Sequence, residues 1–261
     1  MKELPLVFFT VLAQASAGAF ILMQICASMK KIEQQQATKL AMISLVLVVV
    51  AGISALTHLG QPFRSVNALF GLGRSPMSNE IITCGLFGGL VFLYVVGRLK
   101  NIFPEVMVKL LGYLAALAGF ALILLIPGVY QLETIHAWNT GFTSLQMVLT
   151  AIICGGAILM SVNVSGKSWL LTVFATVLWF ALSPAYFTFL SQANVELHQQ
   201  DMLFWGAKYA LLAMGVLILV VAAFSDKSVQ NARLAGLASV LLVVGEIAGR
   251  IGFYDLWAIG M

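Results

Sequence analysis

Two ionisable side chains, His58 and Glu80, bracket the stretch HLGQPFRSVNALFGLGRSPMSNE, a polar segment held between two long apolar runs. Imidazoles and perturbed carboxylates are the groups that exchange protons near neutral pH. His58 closes one apolar run and Glu80 opens the next, so if both runs are helices the loop brings the two groups to a similar depth. A carboxylate so placed can take a proton from a bound substrate and pass it to water. Glu80 also has a structural reading, in which Ser78 or Asn79 caps the helix and the carboxylate complements the helix dipole. Both readings stand on residue type alone, although an ionisable group at the edge of an apolar span is by default a functional-site hypothesis.

Other chemistry is sparse. Cys26, Cys84 and Cys154 are isolated in apolar surroundings with no CxxC, which predicts small buried hydrophobes and no iron–sulfur cluster in this chain. His58, His136 and His198 all map near helix ends on one side, a poor match to the facing pairs of a bis-histidine haem, so no haem is expected. The C-terminal GEIAGRIGFYD sets Glu246 and Arg250 four residues apart on one helix face. That spacing predicts a structural ion pair that orients helices, with a role beside a bound ligand as the second reading.

The elements that position these residues follow from composition. Apolar residues make up 61% of the 261 positions and charged residues 9%, and the mean hydropathy is +1.00. Such a chain has a bilayer for solvent. Crossing about 30 Å of hydrocarbon takes roughly 20 apolar residues as helix, and long continuous runs exclude the alternating strands of a barrel. The runs predict an all-α, polytopic membrane protein with spans near 4–28, 40–59, 80–97, 110–130, 143–163, 169–193, 205–224 and 232–254, forming one integral membrane domain over 1–261. The first run is expected to be a retained helix with Pro5 in its first turn, because Glu3 balances the n-region and Lys30 and Lys31 follow as a stop. Pro127 and Pro184 fall inside spans and predict kinks.

Nine Lys and Arg residues fall at connections after odd-numbered spans and five, namely Lys2, Arg64, Arg74, Lys208 and Arg250, on the other side. The positive-inside rule then places both termini outside, N-out and C-out. The net charge of +4 belongs to that bias, and no nucleic-acid partner is read from it.

With these residues in view, the segment from His58 to Glu80 and the C-terminal GEIAGRIGFY resemble the membrane anchor subunits of the dimethyl sulfoxide reductases. PLVFFTVLAQASAGAF and VYQLETIHAWNT extend the likeness along the chain. The resemblance implies eight membrane helices with outer termini in a bacterial inner membrane. It also implies oxidation of menaquinol, with electrons passed to an iron–sulfur subunit that feeds a molybdopterin catalytic subunit. Carried over by position, the quinol-site glutamate is Glu80 and the histidine His58, with Arg64, Ser78 and Asn79 as quinol-binding supports. Two departures from the family pattern are His136, where proline is common, and Gly128, where an arginine often precedes the VY pair.

Quinol oxidation releases two protons and two electrons. Glu80 is then the expected base, His58 the expected hydrogen-bond partner of a quinol oxygen, and Arg64 a group that holds the loop or stabilises developing charge. Two rival readings remain at this level. A proton-coupled transporter would need ionisable groups near mid-bilayer, where only Glu246 and Arg250 argue for it. A pure anchor would use the same polar loop as a docking surface without binding quinol.

Overall fold

The computed structural model describes residues 3–162, 167–193, 199–224 and 228–256, apart from the side chains of residues 62–64 and 228–230. Among them are eight α-helices and one 3-10 helix, and no strand. The α-helices are α1 Leu4–Ser28, α2 Gln34–His58, α3 Pro76–Lys100, α4 Glu105–Tyr130, α5 Gly141–Ser161, α6 Trp169–Gln192, α7 Gln199–Phe224 and α8 Ser228–Asp255. The 3-10 helix Pro62–Gly71 lies between α2 and α3. All eight α-helices are long and apolar enough to cross a membrane, as the apolar runs predict.

Several helices begin earlier than hydropathy alone indicates. More than half of the polar segment KKIEQQQATK is helix, because Glu33 and Gln36 form a capping box in which the Glu33 amide donates to Gln36 Oε1 at 3.0 Å. Likewise α3 starts at Pro76, capped by Ser75, whose hydroxyl accepts from the Ser78 amide. Neither Ser78 nor Asn79 is therefore the cap. Glu80 lies beyond the first turn of α3, which contains no acidic residue. The dipole effect fades within that turn, so helix-start electrostatics do not account for Glu80.

The helices form two rings of four. In the first, α1 packs on α2 and α4, and α3 on α2 and α4; in the second, α5 packs on α6 and α8, and α7 on α6 and α8. The rings join where α1 meets α5 and α8 and where α4 meets α5. At the α1–α5 seam the backbones come close enough that a Cβ on Gly18 would lie 2.0 Å from the Ala151 carbonyl oxygen, and one on Gly155 would lie 2.5 Å from the Gly18 carbonyl carbon. Small residues permit this approach in a membrane, where dispersion and not the hydrophobic effect drives association. Accordingly α1 and α5 are the most enclosed spans, while α2 and α7 keep most of their surface outward. Pro127 and Pro184 lie inside α4 and α6, and both helices continue through them.

Candidate functional site

His58 and Glu80 line one cavity of about 760 Å³ between α2, α3 and the first turns of α1. Its walls are otherwise almost wholly apolar, from Leu6 and Phe9 on α1 through Val48 and Leu56 on α2 to Ile81 and Phe92 on α3. That volume and that lining, with few polar groups at one end, suit a small apolar molecule with a polar head.

Glu80 is 4% exposed, and its Oε1 has no hydrogen-bond partner among the described residues. A buried carboxylate oxygen left unmatched costs more than the average hydrogen bond gains. Native structures leave few such groups, and each has a reason such as a catalytic role, strain, or a bound water or ion. His58 sits at the more open end, with Nε2 3.6 Å from Glu3 Oε2, within ion-pair distance. Glu3 precedes α1, so the start of the first span reaches the end of the second and restrains the imidazole. Sequence reasoning missed Glu3 as a partner because 55 positions separate it from His58 and no spacing rule connects them.

The loop between α2 and α3 is braced from α3. Asn79 Oδ1 accepts from the Gly73 amide at 2.7 Å, and Gly73 has a φ of +76°, which a side chain would strain. Ser78 is buried against Gly71, where a Cβ would meet its Oγ at 2.3 Å. Ser78 and Asn79 are absent from the cavity wall, so their observed role is to fix the loop, whereas Ser65 on the 3-10 helix does line the cavity. The side chain of Arg64 lies outside the described residues, as does His198. His136 is exposed in the α4–α5 connection and does not line the cavity.

A second polar cluster is buried between α1, α5, α7 and α8, and here the sequence expectation needs correction. Glu246 pairs with Lys208, whose Nζ lies 3.2 Å from Oε2, with both side chains no more than 3% exposed. Arg250 forms no ion pair with Glu246 among the described residues. Its Nη2 donates to Gln14 Oε1 at 3.0 Å and to Thr150 Oγ1 at 3.2 Å. Thr150 in turn donates to Glu246 Oε2 at 2.7 Å, so the two α8 residues share a mediator. The four-residue spacing puts both on the core face, but the carboxylate turns toward α7.

Lys208, counted by sequence among outer connections, is instead the ninth residue past the start of α7, about 14 Å along the helix. Its ammonium lies over the rings of Trp179 and Trp205, 4.7 Å and 5.7 Å from their centroids, which adds cation–π attraction to the ion pair. With Lys208 and Arg250 both buried, the connections on their side retain Lys2, Arg64 and Arg74 against the nine on the other side. The charge asymmetry is steeper than the raw count.

Among the described residues no group of three or more His, Cys, Asp or Glu side chains could hold a metal ion, and Cys26, Cys84 and Cys154 are free thiols.

The family model described as "DMSO reductase anchor subunit (DmsC)" matches residues 1–256 of this protein. Among curated proteins, the C subunit of the anaerobic dimethyl sulfoxide reductase of Haemophilus influenzae is 28% identical over 265 aligned residues, covering 98% of this protein and 95% of the relative. Two Escherichia coli K12 proteins, the YnfH subunit and the C subunit of anaerobic dimethyl sulfoxide reductases, are each 30% identical over 275 residues. For both, coverage is 97% of this protein and 94% of the relative.

Proposed function

Because the chain belongs to the family of dimethyl sulfoxide reductase anchor subunits, we propose that it does more than hold a reductase at the membrane and oxidises menaquinol in the cavity beside Glu80. The observation that carries this reading is the buried carboxylate oxygen of Glu80, unmatched among the described residues, at the polar end of an apolar cavity. A bare anchor has no use for that arrangement.

Oxidation converts the hydroquinone to the quinone, releasing two protons and two electrons. Glu80 takes the proton of one ring hydroxyl, and His58, restrained by Glu3, hydrogen-bonds the other, whose proton is released to water at the cavity mouth. The cavity opens beside the α2–α3 loop, so protons leave toward water at that end. Electrons leave to an iron–sulfur cluster in a partner subunit, which passes them to a molybdopterin catalytic subunit. The loop that Ser78 and Asn79 brace holds the mouth in register.

The charge asymmetry of the connections supports an orientation with both termini and the Glu80 end outside, and the family membership supports a bacterial inner membrane as its setting. Protons and electrons then depart on the same side, and the step moves no charge across the bilayer. Proteoliposomes containing the assembled complex and supplied with menaquinol are expected to reduce the terminal acceptor without generating a membrane potential. A complex that assembles but turns over only with a soluble donor would reduce this protein to an anchor, and a potential tied to turnover would overturn the sidedness.

A further inference from the structure

The cavity continues from Glu80 along a groove lined by several glycines. Along α3 its wall follows Ile81, Cys84, Gly85, Gly88, Gly89 and Phe92, one face of the helix at steps of three and four residues. From Glu80 to Phe92 that face runs about 18 Å along the helix at 1.5 Å per residue. Across the groove α2 contributes Gly52.

Glycine is the poorest helix former after proline, so a helical glycine normally has a packing reason. Gly18 and Gly155 have one, since any Cβ there would strike backbone. Gly52, Gly85 and Gly89 have none of that kind, because a Cβ on each would meet nothing within 4 Å. Gly88 makes only ordinary contact with Val48, at 3.7 Å. No protein neighbour requires these positions to be small, yet they line one groove. The same groove ends at the buried carboxylate oxygen of Glu80, unmatched among the described residues, which independently points to a ligand.

We propose that Gly52, Gly85 and Gly89 form a track for the long isoprenoid tail of the quinol, keeping clear the path along which the tail lies while its ring sits at Glu80. The inference rests on the quinol reading above and adds a recognition element to it. An unbranched acyl tail follows a narrow crevice; a polyprenyl tail bears a methyl group on every unit and needs width. Removing Cβ atoms on facing helices supplies that width, and the apolar wall supplies the affinity.

The test uses the assembled complex in membranes with Gly85→Leu and Gly89→Leu, and with Gly236→Leu as control. Gly236 is a helical glycine with equally open surroundings that does not line the groove. Each is assayed with menaquinol bearing a long prenyl tail and with menadiol, which has the same ring and no tail. The expected result is a fall in kcat/KM of at least about tenfold for the long-tailed quinol at Gly85→Leu and Gly89→Leu, the scale of one misfit in an apolar pocket. Menadiol oxidation stays at the parental rate, and Gly236→Leu changes neither. Equal losses with both quinols, or no loss with either, would overturn the track. Failure of the parent complex to oxidise either quinol would overturn the underlying quinol reading.

Discussion

Glu80→Gln is expected to lower menaquinol-dependent turnover of the assembled complex by about 10²- to 10⁴-fold, the range a positioned proton acceptor supplies. The amide matches the carboxylate in size, so the cavity and the α3 packing around Cys84 and Ile81 persist while the proton-accepting group is lost. Two controls separate this outcome from misfolding. The partner subunits should remain membrane-bound, and the terminal reductase should keep its rate with a soluble reduced dye. The distinction is sharp because helix-start electrostatics offer Glu80 no alternative role: Ser75 caps α3, and Glu80 lies past the first turn. Unchanged quinol turnover would show that a carboxylate oxygen without a partner is tolerated there for no catalytic reason.

The second large effect concerns stability. Lys208→Met removes the ion-pair partner of Glu246 and leaves it Thr150 and, through that hydroxyl, Arg250; breaking a buried pair costs about 3–5 kcal/mol. Glu246→Gln should be similarly harmful, because the Lys208 ammonium and the Arg250 guanidinium are then both buried with no ion-pair partner among the described residues, and the Trp179 and Trp205 rings offset only part of that cost. The double variant should recover part of the Glu246→Gln loss, since the ammonium is gone and only Arg250, bonded to Gln14 and Thr150, stays charged in the cluster, and the coupling is read from a double-mutant cycle. Denaturant unfolding of the detergent-solubilised complex, followed by tryptophan fluorescence, measures it. The exposed pair between Lys109 and Glu105, 3.8 Å apart, provides the comparison. Lys109→Ala is expected to change stability by less than about 1 kcal/mol, because solvated pairs contribute little. If Lys208→Met were equally mild, the network would not be holding the second ring together.

How far such a molecule can be read from its letters depends on the range of each interaction. Eight spans are legible because about twenty apolar residues in a row have one solution in lipid. The polar segment from His58 to Glu80 is legible as a candidate site for the complementary reason, since charge and hydrogen-bonding groups in such a molecule need a purpose. The helix ends are less so: Gln34 and Pro76 begin helices through caps and turn chemistry that a hydropathy window averages away. Long-range pairings are not legible at all. Lys208 reads as interfacial because its carboxylate lies 38 positions away and its aromatic partners Trp179 and Trp205 meet only when α6 and α7 pack. Arg250 shares a face with Glu246 as its spacing requires, yet Gln14, 236 positions away, and Thr150 take its hydrogen bonds. The groove glycines escape notice for a different reason, because a glycine in an apolar run carries no sign of whether its missing Cβ faces protein or open space.

Photolabelling tests most directly whether quinol binds beside Glu80. The assembled complex, incubated in the dark with a photoreactive naphthoquinone carrying a prenyl tail, is irradiated, digested and mapped by mass spectrometry. Label is expected on the cavity-lining residues of α2 and the start of the following loop, between Leu45 and Gly60, and of α3, between Met77 and Phe92, with excess menaquinol abolishing it. Competable label confined to α5–α8 would contradict the account and move the quinol site to the other ring of helices.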